Sequence, residues 1–205
     1  MDTKVNFPSG ELTLEGRLWH ATGQRDIAVV LCHPHPLRGG NMYSNVISAV
    51  AEALWSQDIT TLRFNFRGTG ASTGVHGDGD TEGADVVAAV EYILHCQQAS
   101  RLVVVGYSFG AGVGLLAGAA EPRVSALVGI APPVERRDFS PLHTCAKPKL
   151  FVVGDRDHVC PVPTLQELVK HCPEPTSMTL IPGTNHFFGG REGEVAEAVL
   201  TFITS

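Results

Sequence analysis

Along most of the chain, short apolar runs alternate with stretches whose apolar residues recur at helical spacing. "ELTLEGRLW" alternates apolar and polar residues, the period-two pattern of a half-buried antiparallel strand. "IAVVLCH", Ile27 to His33, is continuously apolar, as a strand covered on both faces should be. "NVISAVAEALWSQ", Asn45 to Gln57, places Val46, Ile47, Val50, Ala53 and Leu54 on one helical face. "TTLRFNF" predicts a strand, "GADVVAAVEYILHCQ" a helix, and "RLVVVGY" a buried strand that runs into a helix of small residues. Beyond it, "VSALVGIAPP" is a strand stopped by prolines and "PKLFVVG" another strand. "PTLQELVKHC" is a short helix with Pro163 near its start, "SMTLIPG" the last strand, and "EGEVAEAVLTFIT" the terminal helix.

Strands alternating with helices predict an α/β fold: a mostly parallel central sheet with helices on both faces. No repeat, linker or low-complexity tract divides the sequence, so residues 1–205 are read as a single domain. About a dozen residues separate the strand ending near Pro132 from the one starting near Lys149, too few for an inserted helical cap.

Composition narrows the setting. A hydrophobic fraction of 43% with 18% charged residues is ordinary for a folded globule. A formal charge of −6 without any basic run disfavours a nucleic-acid partner. No apolar segment approaches a membrane span and the opening residues hold no apolar signal core, so a cytoplasmic protein with no membrane partner is expected. The five cysteines are scattered, with no CxxC pair, which argues against a disulfide framework or a structural zinc.

The chemistry concentrates around "GYSFG", Gly106 to Gly110. Gly-x-Ser-x-Gly arises by chance in about one chain in ten of this length. Here a strand precedes it and a helix follows. A sharp strand-to-helix turn forces the central residue into strained angles and leaves no room for side chains two positions away, which makes Ser108 a candidate nucleophile. At neutral pH its hydroxyl needs a base, and the base an orienting acid. The acids past the next strand are Asp155 and Asp157, with Asp157 preferred because Asp155 is placed to cap the turn. The candidate bases are His143, His158, His171 and His186. Of these, His186 follows the last strand directly and is preferred. A developing oxyanion would be held by the backbone N–H of Phe109 and by a second donor in "CHPHPLRGGN". The two prolines there lack an N–H, which leaves His35, with Leu37 as the alternative.

Other motifs carry less. "HPH" sets His33 beside His35, but no third ligand accompanies them at metal spacing, so no metal is expected. "DGDTEG" opens like a calcium loop, yet its twelfth position is Ala89 rather than glutamate. It is read as a polar lead-in to a helix. "RGTGASTG" lacks the Gly-x-Gly-x-x-Gly order of a dinucleotide loop.

Taken in order, "HPHPLRGGNM", "LRFNFRGTGASTG", "GYSFGAG", "GDRDHVCP" and "PGTNHFFGG" resemble the α/β-hydrolase superfamily, in particular its small capless bacterial group with an HPHP loop, similar to esterases and dienelactone hydrolases. The resemblance runs from about Ile27 to the C-terminus. It implies Ser108 as nucleophile, Asp157 (three residues past Gly154) as acid and His186 as base. It also implies an oxyanion donor at His35, although Pro34 stands where the wider superfamily has glycine. The implied activity is two-step acyl transfer on small carboxylic esters without a cofactor. A thioesterase or small peptidase using the same triad is the alternative within enzymes, and a binding protein that keeps only the fold the alternative outside them. An exposed edge strand leaves room for a homodimer.

Overall fold

The computed structural model describes residues 2–23 and 26–205. One eight-stranded sheet organises them. Its strands are β1 (Asp2–Ser9), β2 (Leu12–Trp19), β3 (Ile27–Cys32), β4 (Thr60–Phe64), β5 (Arg101–Tyr107), β6 (Ala126–Ile130), β7 (Lys149–Gly154) and β8 (Thr176–Ile181), in the spatial order β1-β2-β4-β3-β5-β6-β7-β8. β1 and β2 run antiparallel to each other, β2 antiparallel to β4, and all remaining pairs parallel. The helices α1 (Asn45–Ser56), α2 (Gly83–Cys96), α3 (Phe109–Ala120), α4 (Val162–His171) and α5 (Glu192–Thr204) cover both faces. α1 packs with α5, and α2 with α3. Among the described residues no helix is long and apolar enough to cross a membrane.

The apolar runs become the buried centre because each must hide both faces: every residue of β6 and β7, and all but the first of β3 and β5, is buried. Residues 131–148 hold only a 3-10 turn at Ser140–Thr144, so no cap covers the sheet's carboxyl edge. β1 is an addition to the predicted elements. It buries only Phe7 and Ser9 and carries little apolar signal of its own. It exists because the two-residue turn Gly10-Glu11 folds it back on β2, pairing Ser9 with Leu12. The predicted strand "TTLRFNF" ends two residues early: Asn65 N still donates to Glu15 O, but Phe66 N donates to the His33 ring instead of a strand carbonyl.

A buried ion pair anchors the long connection after β4. Asp85, fully buried on α2, accepts from Arg67 Nη2 at 2.7 Å, from Arg67 N at 3.0 Å and from Ser9 Oγ at 2.8 Å. This ties the start of the connection to the helix that ends it, and both to β1.

Candidate active site

Parallel strands end at a common edge, and the loops beyond them meet there. Ser108 follows β5 with φ 54° and ψ −115°, a conformation an L-residue adopts only under constraint. The constraint is close packing. A Cβ at Gly106 would stand 2.2 Å from the Gly110 carbonyl oxygen, and one at Gly110 2.2 Å from that of Cys32. Ser108 N donates to Ile130 O at 2.8 Å, fixing the turn to β6.

The loop after β7 carries Asp157 and the loop after β8 carries His186. Ser108 Oγ lies 2.8 Å from His186 Nε2, and His186 Nδ1 lies 2.8 Å from Asp157 Oδ2. The remaining carboxylate oxygen, Oδ1, accepts the N–H groups of Val159 (2.7 Å) and Cys160 (2.8 Å), so Asp157 is held from both ends. Tyr107 OH donates to His186 O at 2.8 Å. Burial first, and the nearby Asp157 carboxylate second, push that phenol above its ordinary range and keep it a donor. Ser108, Asp157 and His186 are all nearly buried, with the serine facing a cavity of about 550 Å³.

The other candidates fall elsewhere. Asp155 is exposed and accepts from Thr184 N at 3.2 Å, which pins the loop leading to His186. His158 is exposed, and His143 and His171 lie against one another on the surface. Among the described residues, the N–H groups of Phe109 and His35 have no acceptor, and both residues line the cavity. Leu37 lies in the 3-10 turn Pro36–Arg38, is 77% exposed and does not line the cavity. The loop carrying His35 is closed by Arg38 N and Gly40 N, which both donate to His35 O at 3.0 Å.

The HPH histidines point apart. His33 is fully buried: its Nδ1 lies 2.6 Å from Pro34 O and its Nε2 accepts from Phe66 N at 3.0 Å. Burial, against a smaller opposing effect of the Pro34 bond, brings its pKa down to about 4. His35 instead faces His76 and Asp78 from the connection before α2. Burial first, then the adjacent His76, lowers the pKa of His35. The "DGDTEG" segment is therefore part of the cavity wall as well as a lead-in to α2. Glu82, fully buried, shapes it by accepting from Gly77 N at 2.7 Å and Gly79 N at 2.9 Å. Burial alone would raise the Glu82 pKa, but these bonds and His76 outweigh it and the carboxyl sits below its usual range. No sequence spacing links Asp78 to His35; only the close approach of two loops reveals them together.

The cavity also carries Arg38, Arg136 and Arg137, with Asp78 the one carboxylate on its wall among the described residues. Arg137 reaches Asp78 O at 3.1 Å and Gly79 O at 3.2 Å. Phe187, next to His186 and 68% exposed, closes one side.

Comparison with known proteins agrees with this architecture. The family model for serine aminopeptidases, S33, matches residues 23–147. RP471, an uncharacterized protein of Rickettsia prowazekii, is 30% identical over 209 residues, which cover 98% of this chain and 88% of that one. An α/β serine hydrolase homologue from Coxiella burnetii superposes with TM-score 0.87 at 33% identity, over 98% of this chain and 96% of the other. XC6422 from Xanthomonas campestris, described as an α/β serine hydrolase without a lid, superposes with TM-score 0.88 at 28% identity, over 99% and 94%. Matched over more than half its length, the chain belongs to the S33 serine aminopeptidase family, with the α/β serine hydrolase fold in its lidless form.

Proposed function

We propose that the protein hydrolyses small carboxylic esters through a serine acyl-enzyme. The observation that carries this is the unbroken chain Ser108–His186–Asp157, with 2.8 Å at each link, set at a strained turn that faces an uncapped cavity. His186 Nε2 takes the Ser108 proton as the hydroxyl attacks the substrate carbonyl. The N–H groups of Phe109 and His35 receive the oxyanion, with the N-terminus of α3 adding its favourable dipole. His186 then protonates the departing alcohol, and a water deprotonated by His186 releases the acid. Asp157 keeps the imidazole in the tautomer with its proton on Nδ1.

The cavity wall favours esters over an aminopeptidase substrate. A peptide α-ammonium would meet three arginines and one carboxylate, whereas a neutral or anionic ester would not be repelled. The absence of a cap fits short, soluble acyl groups. Hydrolysis of p-nitrophenyl acetate, butyrate and octanoate by the wild type and Ser108→Ala tests the reading. Short esters should turn over fastest and the variant should fall to background. Equal rates in both proteins would remove Ser108 from the mechanism. Fluorophosphonate labelling of Ser108 with no ester turnover would instead shift the assignment toward thioesters or amides.

A further inference from the structure

We propose that His35, His76 and Asp78 form a binding site for a divalent transition ion of the zinc class, at the mouth of the cavity. One ligand atom from each of the three residues lies within 4.8 Å of the others. Asp78 Oδ1 is 3.6 Å from His35 Nε2 and 3.7 Å from His76 Nε2. These separations are too long for hydrogen bonds. A tetrahedral zinc with bonds of about 2.0–2.1 Å sets its ligand atoms about 3.3 Å apart. The two Asp78 separations therefore need contract by only a few tenths of an ångström, and the imidazole pair, within 4.8 Å, by no more than about 1.5 Å, through small ring rotations.

The groups are held as ligands are held. The His76 side chain is only 9% exposed, and its Nε2 has no hydrogen-bond partner among the described residues. Its Nδ1 faces a carboxylate, 2.9 Å from Glu82 Oε1. A carboxylate behind one imidazole nitrogen orients the ring so that the other nitrogen faces the ion. Glu82 is fully buried and itself anchored by Gly77 N and Gly79 N. Arg137 grips the carbonyls of Asp78 and Gly79, which leaves the Asp78 carboxylate free to face the imidazoles.

Two imidazoles and one carboxylate suit zinc, cobalt or nickel better than magnesium or calcium, which prefer all-oxygen sites. Three protein ligands leave a fourth position for water or for a carboxylate of a bound molecule. The ion would join the loop carrying His35 to the loop carrying His76, and so stiffen the segment that supplies an oxyanion donor. The site itself does not depend on the ester reading, because its evidence lies outside the Ser108–His186–Asp157 chain.

The test is metal binding by the untagged, chelator-treated protein, read by calorimetry with zinc and by the visible spectrum with cobalt. One zinc per chain and the intense bands of low-coordinate cobalt are expected. His76→Asn and Asp78→Asn should each weaken binding at least about tenfold, and Glu82→Gln by a similar factor acting through His76. A surface control, His143→Asn with His171→Asn, should bind as the wild type does. Metal-free melting temperatures identify any variant that has lost its fold, and Asp78→Asn, on an exposed side chain, is the one expected to keep it. Absence of binding at about a hundred micromolar zinc or cobalt, or binding unchanged in folded His76→Asn and Asp78→Asn, would overturn the site.

Discussion

Asp157 Oδ2 meets His186 Nδ1 at 2.8 Å while its other oxygen is filled by two backbone N–H groups, so the carboxylate can neither rotate away nor serve a different partner. Asp157→Asn keeps the shape and changes the donor pattern. An amide nitrogen facing Nδ1 favours the tautomer with its proton on Nε2, where it can no longer accept from Ser108. Ester turnover is expected to fall about 10³–10⁴-fold with little loss of stability. Asp155→Asn, in the same loop but exposed and bonded only to Thr184 N, should stay within a few-fold of wild type. Comparing kcat in the two variants measures this, and equal losses would mean that the loop rather than the carboxylate is what matters.

The turn at Ser108 rests on two backbone approaches. Gly110→Ala would push a methyl group to 2.2 Å from Cys32 O and 2.5 Å from His33 O, both carbonyls of the central sheet region. Backbone cannot yield as a flexible side chain can, so the variant should lose about 3 kcal/mol or more, or fail to accumulate as soluble protein. Gly193→Ala, in α5 where nothing stands within 4 Å, is the control and should be neutral or slightly stabilising through alanine's higher helix propensity. Urea unfolding of both variants separates close approach from a general intolerance of added methyl groups.

How far the sequence announced this arrangement depends on where each signal resides. The runs in β3, β5, β6 and β7 are legible because burial on both faces writes a continuous apolar string. Ser108 and Asp157 are legible because each follows such a strand, and His186 because it follows the last predicted strand, although β8 itself buries only Ile181; the structure brings the three into one hydrogen-bonded chain. β1 was not, since a strand that buries two residues leaves almost no pattern. The grouping of His35 with His76 and Asp78 was not either. His33 and His35 look like a pair in the sequence, and on a continuing strand positions two apart would share a face, but β3 ends at Cys32, the chain bends at Pro34, and His33 turns inward to Phe66 N. The missing neighbours come from a loop some forty residues on, placed by Glu82, and no local pattern encodes a meeting of that kind.

Glu121 gives a prediction in pH. Its carboxylate accepts from Arg123 Nε at 2.7 Å, Nη2 at 2.9 Å and N at 3.0 Å. The Arg123 bond, against a smaller cost of burial, pulls its pKa from 4.5 to about 2. A depressed carboxylate stabilises the fold above the unfolded value of 4.5, and that contribution disappears as pH falls through about 2. With Arg123 43% exposed, solvent screening holds it to about 1 kcal/mol or less. Glu121→Gln should therefore unfold at lower urea than wild type at pH 7, and the gap should shrink steadily between about pH 4.5 and pH 2. A gap independent of pH would assign the effect to packing instead.

Asn65 links the fold to the proposed chemistry. It is buried, its Oδ1 accepts from Met42 N at 2.8 Å, and its Nδ2 donates to Glu15 Oε1 at 2.7 Å. Met42 lies at the far end of the connection that begins with His33 and carries His35, so the amide joins that loop to β4 and, through Glu15, to β2. Asn65→Leu nearly conserves volume but orphans the Met42 N–H and one bond to Glu15, at about 1–3 kcal/mol for each group. If the loop owes its position to this amide, the His35 N–H should drift from the oxyanion while Ser108, His186 and Asp157, on other loops, stay in place. The expected signature is a fall in kcat of tenfold or more beside a much smaller change in KM, as for an interaction made only in the transition state. Lower stability with an unchanged kcat would show that the turn closed on His35 O by Arg38 N and Gly40 N holds the donor by itself.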